Sequence, residues 1–471
     1  AYHQGRLPLR KFLLQFAGAA LAIIGGHSIG REGPSVHLGA ATGSLLGQRL
    51  GVPNNNIRIL VASGTAAAIA ASFNTPLAGV VFAMEVVMLE YTISSFIPVI
   101  LAAVSATGVT IAVYGNDPVF TIPRLGLNSL WELPYMVLLG LLCGVLAVGF
   151  IRLVASLAAW TREWPFVVKT TMAGVVVGVI GLAVPQVLGI GYDTVGEALS
   201  GRLGLLLLLV ILAAKIVATG AAVALGVPGG VVGPTLFMGA MLGSAMGYLV
   251  IVAAPELSPD VGFYALLGMT ATMGAMFRAP LAALLAILEM TYSPTVIFPG
   301  MLAIVVAELT RSEAFHQVSF FRSLLQARGL DINMNPMTQA LQRIGVASQM
   351  SLRFAVLPPV VDSDALRRAL ADGPHWVLLQ SGETPEVALP AIDVVRYLEE
   401  FPDIDQLDLA NIPAKRMDIT GIHKRASLLE AERAMRSLGV DMLYVYDMPA
   451  PAMRRIKGVI DRAAIESSYR L

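Results

Sequence analysis

The sequence predicts a polytopic α-helical membrane protein with a polar α/β tail, from three observations: the distribution of charge, the length of the apolar runs, and an internal repeat. Of 471 residues, 56% are hydrophobic and only 14% charged, with a mean hydropathy of +0.72. Residues 1 to 310 hold 25 of the charged side chains and residues 311 to 471 the other 39, although the second stretch is about half as long. An apolar body over residues 1–330 is therefore expected, followed by a polar domain over residues 331–471.

Uncharged runs cover 12–30, 59–84, 91–116, 133–151, 170–192, 216–255 and 290–307. A bilayer core needs roughly 20 apolar residues per spanning helix, so these are the expected spans. The runs 33–48, 203–214, 261–277 and 279–288 are shorter, broken or rich in glycine. They read as helices that stop inside the membrane, which is tolerated where the freed backbone lines a cavity or is buried in protein. A formal net charge of zero and a pI near 7.2 give no footprint for nucleic acid. The single cysteine, Cys143, lies in an apolar span and excludes a disulfide framework. No initiator Met or signal-peptide pattern precedes the first apolar run, so a missing N-terminal piece is expected.

The repeat is the most informative feature. "GREGPSVHLGAATGSLLG" from Gly30 resembles "GGVVGPTLFMGAMLGSAMG" from Gly229: Gly33, Pro34, Gly39, Gly43, Ser44 and Gly47 return as Gly233, Pro234, Gly239, Gly243, Ser244 and Gly247, each displaced by 200. "FNTPLAGVVFAME" at 73–85 returns as "FRAPLAALLAILE" at 277–289, displaced by 204. Small residues recur in membrane helices because they allow close approach, but composition alone does not reproduce six positions at one offset followed by a second block. Repeated membrane units whose broken helices meet near mid-membrane are a transporter design.

Each copy places a glycine loop before Gly-Pro, and proline suits the first turn of a helix because its missing N–H has no partner there. The neighbouring N–H groups point out of the helix end, where the macrodipole adds partial positive charge, so such ends attract anions. Glu32 stands at the first of these ends. It reads either as a tethered anion competing with a free one, released by protonation, or as a cap of its own helix or a partner of Arg31.

On "GREGP" at 30–34, "FNTPLAGVVFAME" at 73–85, "GVPGGVVGP" at 226–234 and "LEMT" at 288–291, residues 5–330 resemble the CLC family of chloride channels and chloride/proton antiporters. The resemblance implies a homodimer with one pore per subunit, each built from two antiparallel halves. It makes Glu32 the gating glutamate. The anion-binding residues it implies are Gly30, Arg31 and Gly33 in the first loop, and Gly230, Val231, Val232 and Gly233 in the second, with the N–H groups of Val231 and Val232 facing chloride. Phe321, in "SFFRSLLQAR", falls where many members carry a tyrosine whose hydroxyl touches the central chloride.

Three departures follow. The family's early "GSGIP" stretch is absent; Phe321 and Val232 stand in place of a tyrosine and a phenylalanine, making the inner gate less polar at one point and roomier at another. Val86 occupies the position of the internal proton glutamate, and valine relays no proton. Glu85, one residue earlier, points about 100° away on a helix, and its repeat mate Glu289 gives it a structural reading. Chloride transport that is channel-like or loosely proton-coupled is therefore expected. The alternatives are a chloride/proton antiporter and, in another class, a membrane-anchored sensor whose body has lost transport.

Lys215 interrupts "LLLLLVILAAKIVATG" at a position that is basic in many members. It reads as an electrostatic attractor of anions or as a lysine whose amine snorkels or pairs. His27 and His37 lack a carboxylate or cysteine at ligand spacing, so no metal is expected. Asp117 and Glu132 flank a loop and read as solvated. No nucleophile and base stand at useful spacing, so no enzyme and no cofactor are expected.

In the tail, Ser427 and Glu430 form a capping box for a helix through Leu438, Gly439 ends it, and "VDMLYVYD" reads as a buried strand. "DSDALRRALADG" and "PHWVLLQS" show the same order, with Gly373 where Gly439 falls. This pattern resembles a tandem CBS domain. Such pairs often bind adenine nucleotides through an acidic residue, but Ala464 in "GVIDRAAIE" stands at that place, which argues against a nucleotide here. The partners expected are chloride, a lipid bilayer, a second copy of the chain and, under antiport, protons. The expected location is the plasma (inner) membrane, with the tail in the cytoplasm.

Overall fold

The computed structural model describes residues 5–115, 129–257, 260–292, 294–330, 336–402, 404–450 and 453–468. The chain forms two compact units, Ala1–Gln48 with Arg58–Ile332, and Arg49–Ile57 with Asn333–Leu471.

Helices lying wholly or mostly in the first unit are α1 (Leu9–Ile24), α2 (Glu32–Leu50), α3 (Asn54–Phe73), α4 (Pro76–Phe82), α5 (Ile93–Tyr114), α6 (Leu133–Trp160) and α7 (Phe166–Ala183). They continue as α8 (Tyr192–Leu199), α9 (Leu205–Ala224), α10 (Val232–Ala253), α11 (Val261–Phe277), α12 (Pro280–Thr291), α13 (Ile297–Leu309) and α14 (Phe320–Ala327). Among the described residues, seven helices are long and apolar enough to cross a membrane. α5 and α7 bury only 17% of their apolar windows, and Leu182 is 89% exposed, so these helices turn hydrocarbon outward. An apolar surface of that extent suits lipid and not water.

Several expected spans divide differently. The run 12–30 is the 16-residue α1 followed by a loop at Gly25. The run 59–84 breaks at Asn74, whose φ is 56°, and restarts at Pro76 as α4, which passes into a π-helical turn at Ala83–Met88. The run 170–192 stops at Ala183 before Pro185, and 216–255 is cut by the loop before Val232. The stretch 203–214, expected to be too short, belongs to the 20-residue α9, which continues through Lys215. Glu132 is not solvated: at 1% exposure it caps Ser129 N–H (3.2 Å) and accepts the Tyr264 hydroxyl (3.2 Å). Asp117 lies outside the described residues.

The repeat is written in the backbone. Asn74 and Arg278, 204 apart, both turn left-handed at the ends of α3 and α11, with φ of 56° and 58°. α10 crosses α11 so closely that a Cβ on Gly239 would lie 2.7 Å from Met269 Cα. Only glycine permits that approach. Glu85 accepts the N–H groups of Leu281 (3.2 Å) and Ala282 (2.9 Å), while Glu289 accepts those of Leu77 (2.8 Å) and Ala78 (2.9 Å). Each half thus caps the first turn of the other half's Pro-led helix with a carboxylate, the charge that a helix N-terminus favours.

The second unit holds α15 (Pro336–Arg343), α16 (Val346–Gln349) and two successive copies of one pattern. The first copy is β1 (Phe354–Leu357), β2 (Val360–Asp362), α17 (Ser363–Leu370), β3 (Trp376–Gln380), β4 (Pro385–Pro390) and α18 (Ala391–Glu400). After β5 (Gln406–Asp408) come β6 (Met417–His423), α19 (Leu428–Leu438), β7 (Met442–Ala450), β8 (Met453–Asp461) and α20 (Arg462–Ser467). The main sheet runs β1-β3-β4-β6-β7-β8, and β2 pairs with β5. β1·β3 and β6·β7 are parallel, β3·β4 and β7·β8 antiparallel, so the halves match across the β4·β6 pairing. The Ser427–Glu430 capping box forms at the start of α19, and Gly439 closes that helix at φ 69°.

Candidate anion site between the two glycine loops

α1 and α9 end alike. Gly26 and Gly226 turn at φ 80° and 86°, and the His27 and Val227 N–H groups bond back to Ala22 O (3.0 Å) and Ala222 O (2.9 Å). Both chains then run to Gly30 and Gly230, which form an antiparallel bridge: Gly30 N–H donates to Gly230 O (2.8 Å) and Gly230 N–H to Gly30 O (2.7 Å). A Cβ on Gly33 would lie 2.5 Å from Gly230 Cα, so no larger residue fits the crossing. From this bridge α2 and α10 set out, and their first turns converge.

Glu32, the first residue of α2, is fully buried. Its Oε2 accepts the N–H of Gly233 in the first turn of α10 (3.2 Å), and its Oε1 accepts the hydroxyl of Tyr192. Among the N–H groups α10 leaves without an intrahelical partner, one is therefore taken by a carboxylate from the other half. The reading of Glu32 as a cap of its own helix or a partner of Arg31 does not describe these bonds. Arg31 turns away: its guanidinium donates to Ser72 O (3.2 Å) and lies over the Tyr192 ring at 5.4 Å.

Val231 precedes α10 and Val232 begins it; Val232 also lines a small apolar void of about 20 Å³ with Phe73, Ala78 and Met273. Phe321 stacks on Phe277 (5.3 Å between centroids) beside Phe320. Val86, half-buried in the π-helical turn, packs against the main core. Lys215 is fully buried, and its Nζ donates to Val187 O (3.0 Å) and Gly189 O (3.2 Å), 4.5 Å from the Phe237 ring. Of its two sequence readings, pairing is the one these bonds describe. The structure thus brings Gly30, Glu32, Gly33, Gly230 and Gly233 together, while Arg31, Phe321 and Lys215 engage other partners.

A family model described as voltage gated chloride channel matches residues 1–312. The chain belongs to that family, the CLC proteins. It is 34% identical over 343 residues to a ClcB-like protein of Ralstonia nicotianae, an alignment covering 71% of this chain and 80% of the relative. It is 32% identical over 324 residues to the H(+)/Cl(-) exchange transporter ClcA of Vibrio parahaemolyticus, covering 66% and 69%. The crystal structure of a slow cyanobacterial Cl-/H+ antiporter superposes with a TM-score of 0.63 at 26% identity, over 69% of this chain and 78% of that one. A eukaryotic CLC transporter shares the fold at 19% identity and a TM-score of 0.52, over 93% of this chain and 77% of the other, a span that reaches into the second unit. Membership and the seven apolar helices make this CLC protein an integral membrane protein with the family's helical fold.

One residue of this candidate site escaped sequence reasoning. Tyr192 follows "GIG" at the end of an uncharged run and was absorbed into an expected span. The signal was Pro185 with Gly189 and Gly191: a breaker and two glycines in so short a stretch mark a loop that presents the next side chain.

Proposed function

We propose that this chain carries chloride across a membrane through a pathway in each subunit, with Glu32 as its gate. One observation carries the reading: the Glu32 carboxylate of the first half sits on the Gly233 N–H at the start of α10 in the second. A helix start of this kind attracts an anion, and here the anion is tethered. Protonation removes its charge and weakens its hold on the helix end. The side chain leaves, and chloride takes the N–H groups of Val231, Val232 and Gly233 from the second loop and of Arg31 and Gly33 from the first, beside Gly30, whose own N–H is held by Gly230 O.

Conduction that is channel-like or loosely coupled to protons is the mechanism we favour. Val86 has no group to relay a proton, and Glu85 spends both carboxylate oxygens on Leu281 and Ala282. Chloride/proton antiport is favoured by the likeness to proteins named H(+)/Cl(-) exchange transporters. It would require water to carry protons past Val86.

The duplicated strand-helix-strand-strand-helix pattern of the second unit supports a tandem CBS domain at residues 331–471, following a transport domain at 1–330. We place it in the cytoplasm, with the protein a homodimer in the plasma (inner) membrane. Reversal potentials of the reconstituted protein at two pH gradients test the mechanism. A reversal potential that follows chloride alone is expected; one that moves with the pH gradient makes the protein an antiporter.

A further inference from the structure

We propose that Tyr192 is a positioning residue that latches the Glu32 gate shut, resting on the reading of Glu32 as the gate. The Tyr192 hydroxyl donates to Glu32 Oε1 while Gly233 N–H donates to Oε2, so the carboxylate is held at both oxygens by groups from two different elements. One holder is backbone that any side chain would leave in place. The other is a single hydroxyl, and a side chain can be changed.

The tyrosine is itself fixed. Its ring lies 6.5 Å from that of Phe73, and the Arg31 guanidinium covers it at 5.4 Å. The loop that presents it is tied down by Lys215, which donates to Val187 O and Gly189 O, and by the Gly189 N–H, which donates to Gly26 O (3.1 Å). Gly191, at φ 80°, sits so close to Phe237 that a Cβ there would lie 2.7 Å from its ring. A hydroxyl held this firmly loses little freedom on bonding the carboxylate.

Tyr192 also stands at an opening. With Asp193, Thr194, Gln186 and Ile23 it lines a cleft of about 470 Å³, while Arg31 lines a separate cleft of about 1120 Å³ with Ser35, Ser72 and Asn74. The tyrosine thus stands between the buried carboxylate and an open cleft. Among the described residues, Tyr192 from α8 bonds Glu32 directly and Lys215 from α9 is the nearby amine, Arg31 is turned to Ser72 O and the Tyr192 ring, and the start of α10 meets the carboxylate with the Gly233 N–H.

A hydrogen bond to a carboxylate favours the ionised, seated form over the protonated one. Tyr192→Phe keeps the ring against Phe73 and Arg31 and deletes only the hydroxyl. Chloride efflux from proteoliposomes is measured from pH 4 to pH 8 for the wild type, Tyr192→Phe, Glu32→Gln and the double variant, each first checked for a monodisperse peak in detergent. In Tyr192→Phe, half-maximal efflux is expected at a pH higher by about one to two units, from the strength of a charge-assisted bond. The double variant is expected to match Glu32→Gln alone. A wild-type pH profile in Tyr192→Phe overturns the latch, as does a double variant that differs from Glu32→Gln. If Glu32→Gln keeps the wild-type pH profile, the gate reading fails first and the latch falls with it.

Discussion

Glu32 and Gly233, 201 residues apart, are joined by a hydrogen bond of 3.2 Å from the backbone of the second half to the carboxylate of the first. The two repeats are alike enough to form paired helix starts and unlike at this one point. Where the first copy has Glu32 and Gly33, the second has Val232 and Gly233, so the one carboxylate comes from the first copy and is bonded at the helix start of the second.

The crossing of the glycine loops tolerates no side chain. A Cβ on Gly33 would meet Gly230 Cα at 2.5 Å, and backbone on both sides has nowhere to move. Gly33→Ala is expected to destabilise the protein by about 1–3 kcal/mol, as overpacking does, and to abolish efflux. Gly174→Ala, with nothing within 4 Å of its Cβ, is expected to be neutral or slightly stabilising. Thermal unfolding in detergent separates them, and equal melting temperatures would sink the steric argument.

The reciprocal caps are structural. Glu289→Ala leaves the Leu77 and Ala78 N–H groups without their carboxylate, and Glu85→Ala does the same to Leu281 and Ala282. Each is expected to cost about 2 kcal/mol or more, by the usual worth of bonds to a charged group, with the glutamine variants milder. A Glu85→Ala protein of unchanged stability but altered proton movement would make Glu85 a relay and not a cap.

In the second unit, the Asp447 carboxylate is held below the usual range by its hydrogen bond and ion pair with Lys424 at 2.5 Å. A depressed acid stabilises the fold fully above its unfolded value, about 3.8 here, and that contribution disappears as pH falls through the lower folded value. Hydrogen exchange of β6 and β7 amides in the full chain is expected to accelerate more below pH 4 in the wild type than in Asp447→Asn, and the difference is expected to shrink in high salt. Identical acid profiles at low salt would mean that the pair adds nothing measurable to the stability of the second unit.

Local and periodic features of this chain were legible, and contacts between distant elements were not. The Ser427–Glu430 box and the Gly439 cap act within one helix, and the repeat announces the paired helix starts at Pro34 and Pro234. Glu85 and Glu289 were recognisable as mates, but not that each caps the other's half. Lys215 ended an uncharged run and so hid the length of α9; its amine finds carbonyls at Val187 and Gly189, and the helix continues through it. Glu132 looked solvated because its partner, the Tyr264 hydroxyl, is 132 residues away. Tyr192 was hidden for the same reason, since its partner belongs to the opposite repeat.

In the proposed function, Glu32 is a tethered anion occupying a chloride site. Chloride efflux from proteoliposomes bearing the wild type and Glu32→Gln, measured across a pH series, tests it most directly. The wild type is expected to pass more chloride as pH falls, and Glu32→Gln to pass chloride at an equal or higher rate that no longer varies with pH. Collapse of efflux in Glu32→Gln, with the protein still folded, would make Glu32 a structural cap and not a gate.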